Sequence, residues 1–303
     1  MIGILRGAAS LVELIDISFN LGDVLEAYEQ SNIKFENTGY KFSEKNLRQI
    51  KIDIPRAMGF LKNDEKKDFY LEMLRKILNS IEFEYIQGLD RITEVILYYY
   101  TSDEVNKLFN SKNVGKNVEN NEAMNTTSAI NCNKEIKISD VLTEELKKKI
   151  VKILTEIFYS KFLPFFENFE KKPLKPHKIF KVIEKKYKNN DFYKIISPSD
   201  QISYLSSFYF RAKFLFYLGE FEKIEDKYFI LSIALATPKN VLDVIFFFFF
   251  DSIINGKPIN IDQKNFLKDI IKVESDFLKY IIEVELDLLK DNIENESNFI
   301  KAQ

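Results

Sequence analysis

The chain has no tryptophan, one cysteine and one histidine in 303 residues, and only 9 glycines and 7 prolines. A single cysteine, Cys132, excludes an internal disulfide framework and a zinc cluster, and it fits a reducing compartment. A single histidine argues against most metal sites and against Ser-His-Asp or Cys-His catalysis. His177 stands in Pro176-His177-Lys178 and reads as a surface residue at a helix start. Excess charge is also missing. The net charge is -2, so no global field draws the chain to nucleic acid or to an anionic membrane. The first fifteen residues lack the long apolar stretch and cleavage site of a signal peptide. The most apolar region, Tyr228 to Phe250, is interrupted by Pro238, Lys239, Asn240 and Asp243. It therefore offers no clean span of about 20 apolar residues, and buried core helix is the expectation.

What remains is an ordinary soluble balance, 46% hydrophobic and 30% charged, with a chain long enough to bury a sizeable core. The 28 Phe and 15 Tyr, with heavy use of Lys, Asn and Ile, match the bias of an A/T-rich genome. Such a bias replaces Leu, Arg or Trp positions within motifs.

Most of the sequence runs at helical period, and the fold class expected is all-α. Between Glu65 and Phe83, apolar residues fall mostly three and four apart at Phe69, Leu71, Met73, Leu74, Ile77, Leu78 and Ile81. Leu146, Ile150, Ile153, Leu154, Ile157, Phe158 and Phe162 repeat the pattern from Leu142 to Phe165, with Thr143 as the start and Pro164 as a kink or stop. A third helix is expected over about 262–289, its stripe formed by Phe266, Ile270, Val273, Phe277, Ile281 and Leu288. The run Phe246 to Phe250 covers every side of a helix and marks one buried all round. The lysines Lys147-Lys148-Lys149 and Lys171-Lys172 read as solvated faces. The Asn-rich segment at about 111–137 has few large apolar residues and is expected to be a disordered surface insertion.

Two short stretches stand apart from this background. The first is Gln49-Ile50-Lys51-Ile52-Asp53-Ile54-Pro55-Arg56, and the second, about thirty residues later, is Glu84-Tyr85-Ile86-Gln87-Gly88-Leu89-Asp90. Each alone has a plain structural reading. Asp53 and Pro55 suit a helix entry, and Gly88 suits a helix end. Together they resemble the TBC domain, the GTPase-activating domain for Rab GTPases, which carries Ile-x-x-Asp-x-x-Arg followed by Tyr-x-Gln-Gly. The matching residues are Ile50, Asp53 and Arg56, then Tyr85, Gln87 and Gly88, with one amphipathic helix region between them. The wording looks most like the TBC domain of TBC domain-containing kinase-like proteins. Leu5-Arg6-Gly7 is similar to the family's first motif, with Ser10 where tryptophan is usual, and Phe250-Asp251 stands where the family has Trp-Asp. The place of that first motif leads to the expectation that little precedes the domain.

The resemblance implies a multi-helix domain of two helical subdomains, an N-terminal one over about 1–110 and a C-terminal one over about 138–303, with the insertion between. It implies that Arg56 is an arginine finger and Gln87 a glutamine finger, both supplied in trans. A guanidinium is always charged and offers a rigid fork of donors to the charge that spreads over the γ-phosphate in the transition state. An amide donates and accepts at once, so it can orient the attacking water. Asp53 would hold the guanidinium, Tyr85 would pack beneath Gln87, and Gly88 would let the backbone pass close to the nucleotide. The fingers are expected close together, exposed in one groove. The partner implied is a Rab-family GTPase in its GTP form, with vesicle trafficking as the setting. No cofactor of the chain's own is expected, since GTP and Mg²⁺ belong to the partner. A cytoplasmic protein, recruited to endomembranes through its partner, follows. The alternative is a non-catalytic Rab-binding scaffold of the same fold.

Overall fold

The structure is a computed structural model, and it describes residues 20–31, 42–119, 136–162, 178–191, 218–219, 221–236, 239–257 and 263–302. Among the described residues all regular structure is helical and there is no strand. The main helices are α1 (Leu21–Gln30), α2 (Glu44–Asp53), α3 (Asp64–Leu78), α4 (Leu89–Glu119), α5 (Glu144–Ile157), α6 (Lys178–Tyr187), α7 (Ile224–Ala236), α8 (Lys239–Ile254) and α9 (Gln263–Ala302). The all-α expectation holds. The Leu5-Arg6-Gly7 motif, Cys132, Pro164, Lys171-Lys172 and His177 lie outside the described residues.

The chain divides into two compact units, each assembled from separated segments. The first comprises Leu25–Ser160 and Leu218–Tyr228, and the second Met1–Val24, Lys161–Tyr217 and Phe229–Gln303. This partition differs from a contiguous split at the insertion, because residues 138–160 and the start of α7 pack with the N-terminal helices.

In the first unit α4 is the central element. Ile92, Thr93, Glu94, Val95, Ile96 and Leu97 are six consecutive buried residues, so every side of the helix is covered. Its two buried threonines answer their own hydroxyls, Thr93 bonding the Leu89 carbonyl and Thr101 the Leu97 carbonyl, each at 2.7 Å. Helices α3 and α5 pack against it and against each other. On α3 the buried set is Tyr70, Met73, Leu74, Ile77 and Leu78, the three-and-four spacing that puts one stripe on the core. Asn63 caps its start by accepting from Lys66 N at 2.8 Å, while Asp64 and Glu65 at one end and Arg75 and Lys76 at the other complement the helix dipole. The helix stops at Leu78. Ile81 and Phe83, expected to continue it, are instead core residues of the following loop, where Phe83 stacks on Phe158 at 4.4 Å between centroids. Thr143 does start α5, its hydroxyl accepting from Leu146 N at 3.2 Å. Lys147 and Lys149 pair with Glu144 and Glu29.

The Asn-rich segment begins later than its composition suggests. Helix α4 runs on through Glu119, so residues 111–119 have helical backbone, and residues 136–137 lead into a 3₁₀ turn at Ile138–Asp140. A helix already nucleated and packed adds residues at small cost, which lets it advance into a poor sequence. The rest of the expected insertion, 120–135, lies outside the described residues.

In the second unit α8 and α6 both pack on α9. Phe247, Phe248, Phe249 and Phe250 are all buried, and four successive residues span most of a helix circumference. Phe247 meets Phe277, and both Phe248 and Phe249 meet Phe266, at 5.2–6.1 Å between ring centroids. Helix α9 continues to Ala302, well beyond the expected end. The apolar stretch from Tyr228 to Phe250 falls in two helices rather than one, the first ending at Ala236 and the second starting at Lys239. No helix among the described residues is long and apolar enough to cross a membrane.

Candidate functional site

Both singled-out stretches lie in the first unit, and hydrogen bonds join them. Helix α2 turns Asn46, Ile50 and Asp53 inward, followed by Ile54, an i, i+4, i+7, i+8 row. Lys45, Arg48, Lys51 and Ile52 are left exposed. Ile54–Arg56 then forms a single 3₁₀ turn with Pro55 at its start, where a missing N–H costs nothing. The stretch is therefore a helix exit. The helix-entry alternative fails because Asp53 makes no side-chain cap and has a buried partner instead.

The second stretch arrives as loop and starts α4. Gly88 has φ of 100°, outside the range that side-chain-bearing residues adopt comfortably. Its N–H donates to Asp90 Oδ1 at 3.1 Å, so Asp90 answers one of the free amides before the first turn. Gly88 thus opens a helix and does not close one, although its backbone freedom is used as its identity suggests.

The junction between the stretches is Tyr85. Its ring is buried, and its hydroxyl lies 3.0 Å from Asp53 Oδ2 and 3.1 Å from Asp90 Oδ1. A phenol carries one proton, so it donates to one carboxylate at a time. Burial first, then the two carboxylates, hold the Tyr85 phenol far above the usual range, so it stays protonated. Gln49 Nε2 donates to both oxygens of Asp53, at 3.1 and 3.0 Å. Asn46 Nδ2 donates to the Tyr85 carbonyl at 3.1 Å, which fixes the loop from behind. Burial raises the pKa of Asp90; Arg91 opposes the rise, and the nearby charges of Asp53 and Glu94 add to it.

A second tie lies one turn further along α4. Glu94 is fully buried. It accepts from Met58 N at 2.6 Å through Oε2 and meets Lys227 Nζ at 3.2 Å through Oε1. Lys227 also donates to the Leu218 carbonyl at 2.6 Å and lies 5.2 Å from the Phe60 ring centre. Arg91 completes the group, 3.6 Å from Glu94 and 3.5 Å from Asp90. Met58 has φ of 56°, the only positive value at a non-glycine residue among those described. Its buried side chain and the Glu94 bond hold it there, two residues beyond Arg56.

Arg56 and Gln87 are both exposed. Each follows its anchor closely: Arg56 is three residues past Asp53 and Gln87 two past Tyr85, and Asp53 and Tyr85 bond each other. The expectation that Asp53 grips Arg56 is not met. Asp53 is committed inward to Gln49 and Tyr85, and among the described residues no acceptor holds the Arg56 guanidinium. Tyr85 supports the loop from within through its hydroxyl as well as its ring. Asn46, Glu94 and Lys227 were not singled out from sequence, and Gln49 stood in its stretch without a role. Their partners lie 3 to 133 positions away, and for Asn46, Glu94 and Lys227 the identifying signal is the burial of a polar side chain.

Chemically, the buried acids have no access to a ligand, because each is enclosed and bonded. The Arg56 fork and the Gln87 amide are exposed and so open to an incoming molecule. Among the described residues no group of three His, Cys, Asp or Glu is arranged to hold a metal ion.

No family model matches the chain, and no solved structure matches it. An uncharacterized membrane protein of Encephalitozoon cuniculi is similar over 274 residues at 23% identity, covering 84% of each chain.

Proposed function

We propose that the chain is a TBC-type GTPase-activating domain, and that it accelerates GTP hydrolysis by a Rab-like small GTPase with Arg56 and Gln87 as its fingers. The observation that carries the reading is the buried Asp53–Tyr85 hydrogen bond. It ties the two motif stretches together from within while the two residues with the right chemistry remain outside. An arginine placed against the γ-phosphate contributes about 10³ to 10⁵ in rate, and a glutamine beside it would align the attacking water. The bound nucleotide and its Mg²⁺ would come with the GTPase. Trafficking function and recruitment to endomembranes through that GTPase belong to this reading.

A non-catalytic Rab-binding scaffold is the second reading, and one observation favours it. Among the described residues the guanidinium of Arg56 has no orienting acceptor, whereas an efficient finger is held before the reaction begins. Single-turnover GTP hydrolysis by a panel of Rab GTPases separates the two. Acceleration by the wild type, reduced about tenfold or more by Arg56→Ala and by Gln87→Ala, supports activation. Tight binding of a GTP-loaded Rab with no acceleration supports the scaffold. Neither binding nor acceleration on any GTPase removes both.

A further inference from the structure

Helix α9, in the second unit, is apolar on two sides. Its inner side carries Phe266, Ile270, Phe277 and Val284, all buried. Its outer side carries Leu278, Ile282 and Leu286, whose exposures are 50%, 55% and 51%. These three stand at i, i+4 and i+8 and form one row along the helix. Lys185 of α6 pairs with Glu283 and Asp287, each about 100° around the helix from its neighbour in the row, so that among the described residues this contact leaves the row itself uncovered. Scattered exposed apolar side chains are ordinary, but an aligned row on an amphipathic helix is what partner helices bury.

We propose that this row is a homodimer seam, formed by antiparallel packing of α9 against α9 of a second copy about a twofold axis at Ile282. Three features of the helix point to a second copy. First, α9 has 40 residues from Gln263 to Ala302, so Ile282 sits at its middle. Antiparallel copies centred there overlap along the whole helix, about 60 Å at 1.5 Å per residue. Second, the spacing is symmetric about Ile282. Leu278 falls opposite Leu286 of the other copy, and in the sequence the row continues at Ile271 and Ser275 before and at Leu289 and Ile293 after, a palindromic 4-3-4-4-3-4. That spacing averages about 3.67 residues per turn, so nearly straight helices stay in contact. Third, the halves differ in charge. Residues 263–282 hold four lysines against three acids, whereas residues 283–302 hold two lysines against six acids. Antiparallel pairing sets the weakly basic half along the acidic one, while parallel pairing sets acid against acid. An anionic lipid surface would meet the same acidic half with repulsion. An isologous contact of this kind is self-complementary by construction.

The test uses the full chain with Cys132→Ser as background. Light scattering and sedimentation are expected to give a dimer at micromolar concentration. Ile282→Lys is expected to weaken self-association about tenfold or more while leaving helical content and melting temperature unchanged, because the side chain is exposed. Cysteine placement fixes the direction. An equimolar mixture of Leu278→Cys and Leu286→Cys chains is expected to form a disulfide dimer on mild oxidation, and neither variant alone is. A monomeric wild type would overturn the proposal. So would self-linking of Leu278→Cys alone, which marks a parallel pair. So would binding of neutral or anionic vesicles that is lost in Ile282→Lys without any dimer.

Discussion

Replacing Lys227 by methionine tests the internal bracing of the first unit most directly. The lysine side chain is 3% exposed and Glu94 is 0% exposed, so the pair meets at 3.2 Å with almost no water between or around it. Methionine keeps most of the aliphatic volume and the packing toward Phe60 but removes the charge. Glu94 then keeps its bond from Met58 N and a distant contact with Arg91, and its Oε1 has no cation. The Leu218 carbonyl loses its donor at the same time. Removing one partner of a buried pair costs about 3–5 kcal/mol, since the remaining charge stays desolvated. At about 2–4 °C per kcal/mol for domains of ~150–250 residues, the melting temperature falls by roughly 6–20 °C. The double variant Lys227→Met with Glu94→Gln removes both charges, and glutamine can still accept from Met58 N. It is expected to lose less than Lys227→Met alone. Urea unfolding of wild type, both singles and the double measures the coupling. If Lys227→Met stays within about 1 kcal/mol of wild type, or if the double equals the sum of the singles, the bracing argument fails.

Tyr85→Phe keeps the ring and removes the hydroxyl that Asp53 and Asp90 share, so a loss of about 1–3 kcal/mol is expected in urea unfolding; an unchanged midpoint would mean that water replaces the phenol. Gly88→Ala forces a side chain into φ near 100° at the start of α4, with an expected loss of about 1–3 kcal/mol, read by calorimetry. Burial pushes the pKa of Asp251 up, but Lys186 and Tyr187, which both donate to it, together bring it below the ordinary carboxylate value. A lowered folded pKa means stability that is present above about pH 3.9 and lost as pH falls through the folded value. The acid limb of wild type, followed by circular dichroism, is therefore expected to be steeper than that of Asp251→Asn, and coincident limbs would count against it.

The parts of the fold legible in the sequence are those written in a local period. Thr143 marks the start of α5, Met73, Leu74, Ile77 and Leu78 of the expected α3 stripe are buried, though Tyr70 takes the place of Phe69 and Leu71, and consecutive Phe residues signal a helix covered on every side. Helix ends were less legible. α4 runs into Asn-rich sequence that would not nucleate a helix alone, and α3 stops before Ile81 although the apolar pattern continues. At the candidate site the residue types of both stretches were readable, and so was the conformational freedom of Gly88. The direction of Asp53 was not. One helical turn separates it from Arg56, but a buried phenol and amide compete for the same oxygens and win, because an enclosed carboxylate needs its bonds where water cannot reach. Glu94 and Lys227 left no trace in any window of sequence, since neither residue explains the burial of the other until the chain has folded.

The separation of Glu94 and Lys227 by 133 positions also bears on how the protein is made. At about 5–20 residues per second, a ribosome that has completed Glu94 needs roughly 7–27 s more to supply its lysine. Until then Glu94 has only Arg91, 3.6 Å away on the same helix, to set against its charge, and the first unit lacks the segment Leu218–Tyr228 that completes it. Nascent chains shorter than this point should remain open at α4 and accessible to protease or chaperone. The last step of the first unit's assembly therefore waits on a segment encoded after much of the second.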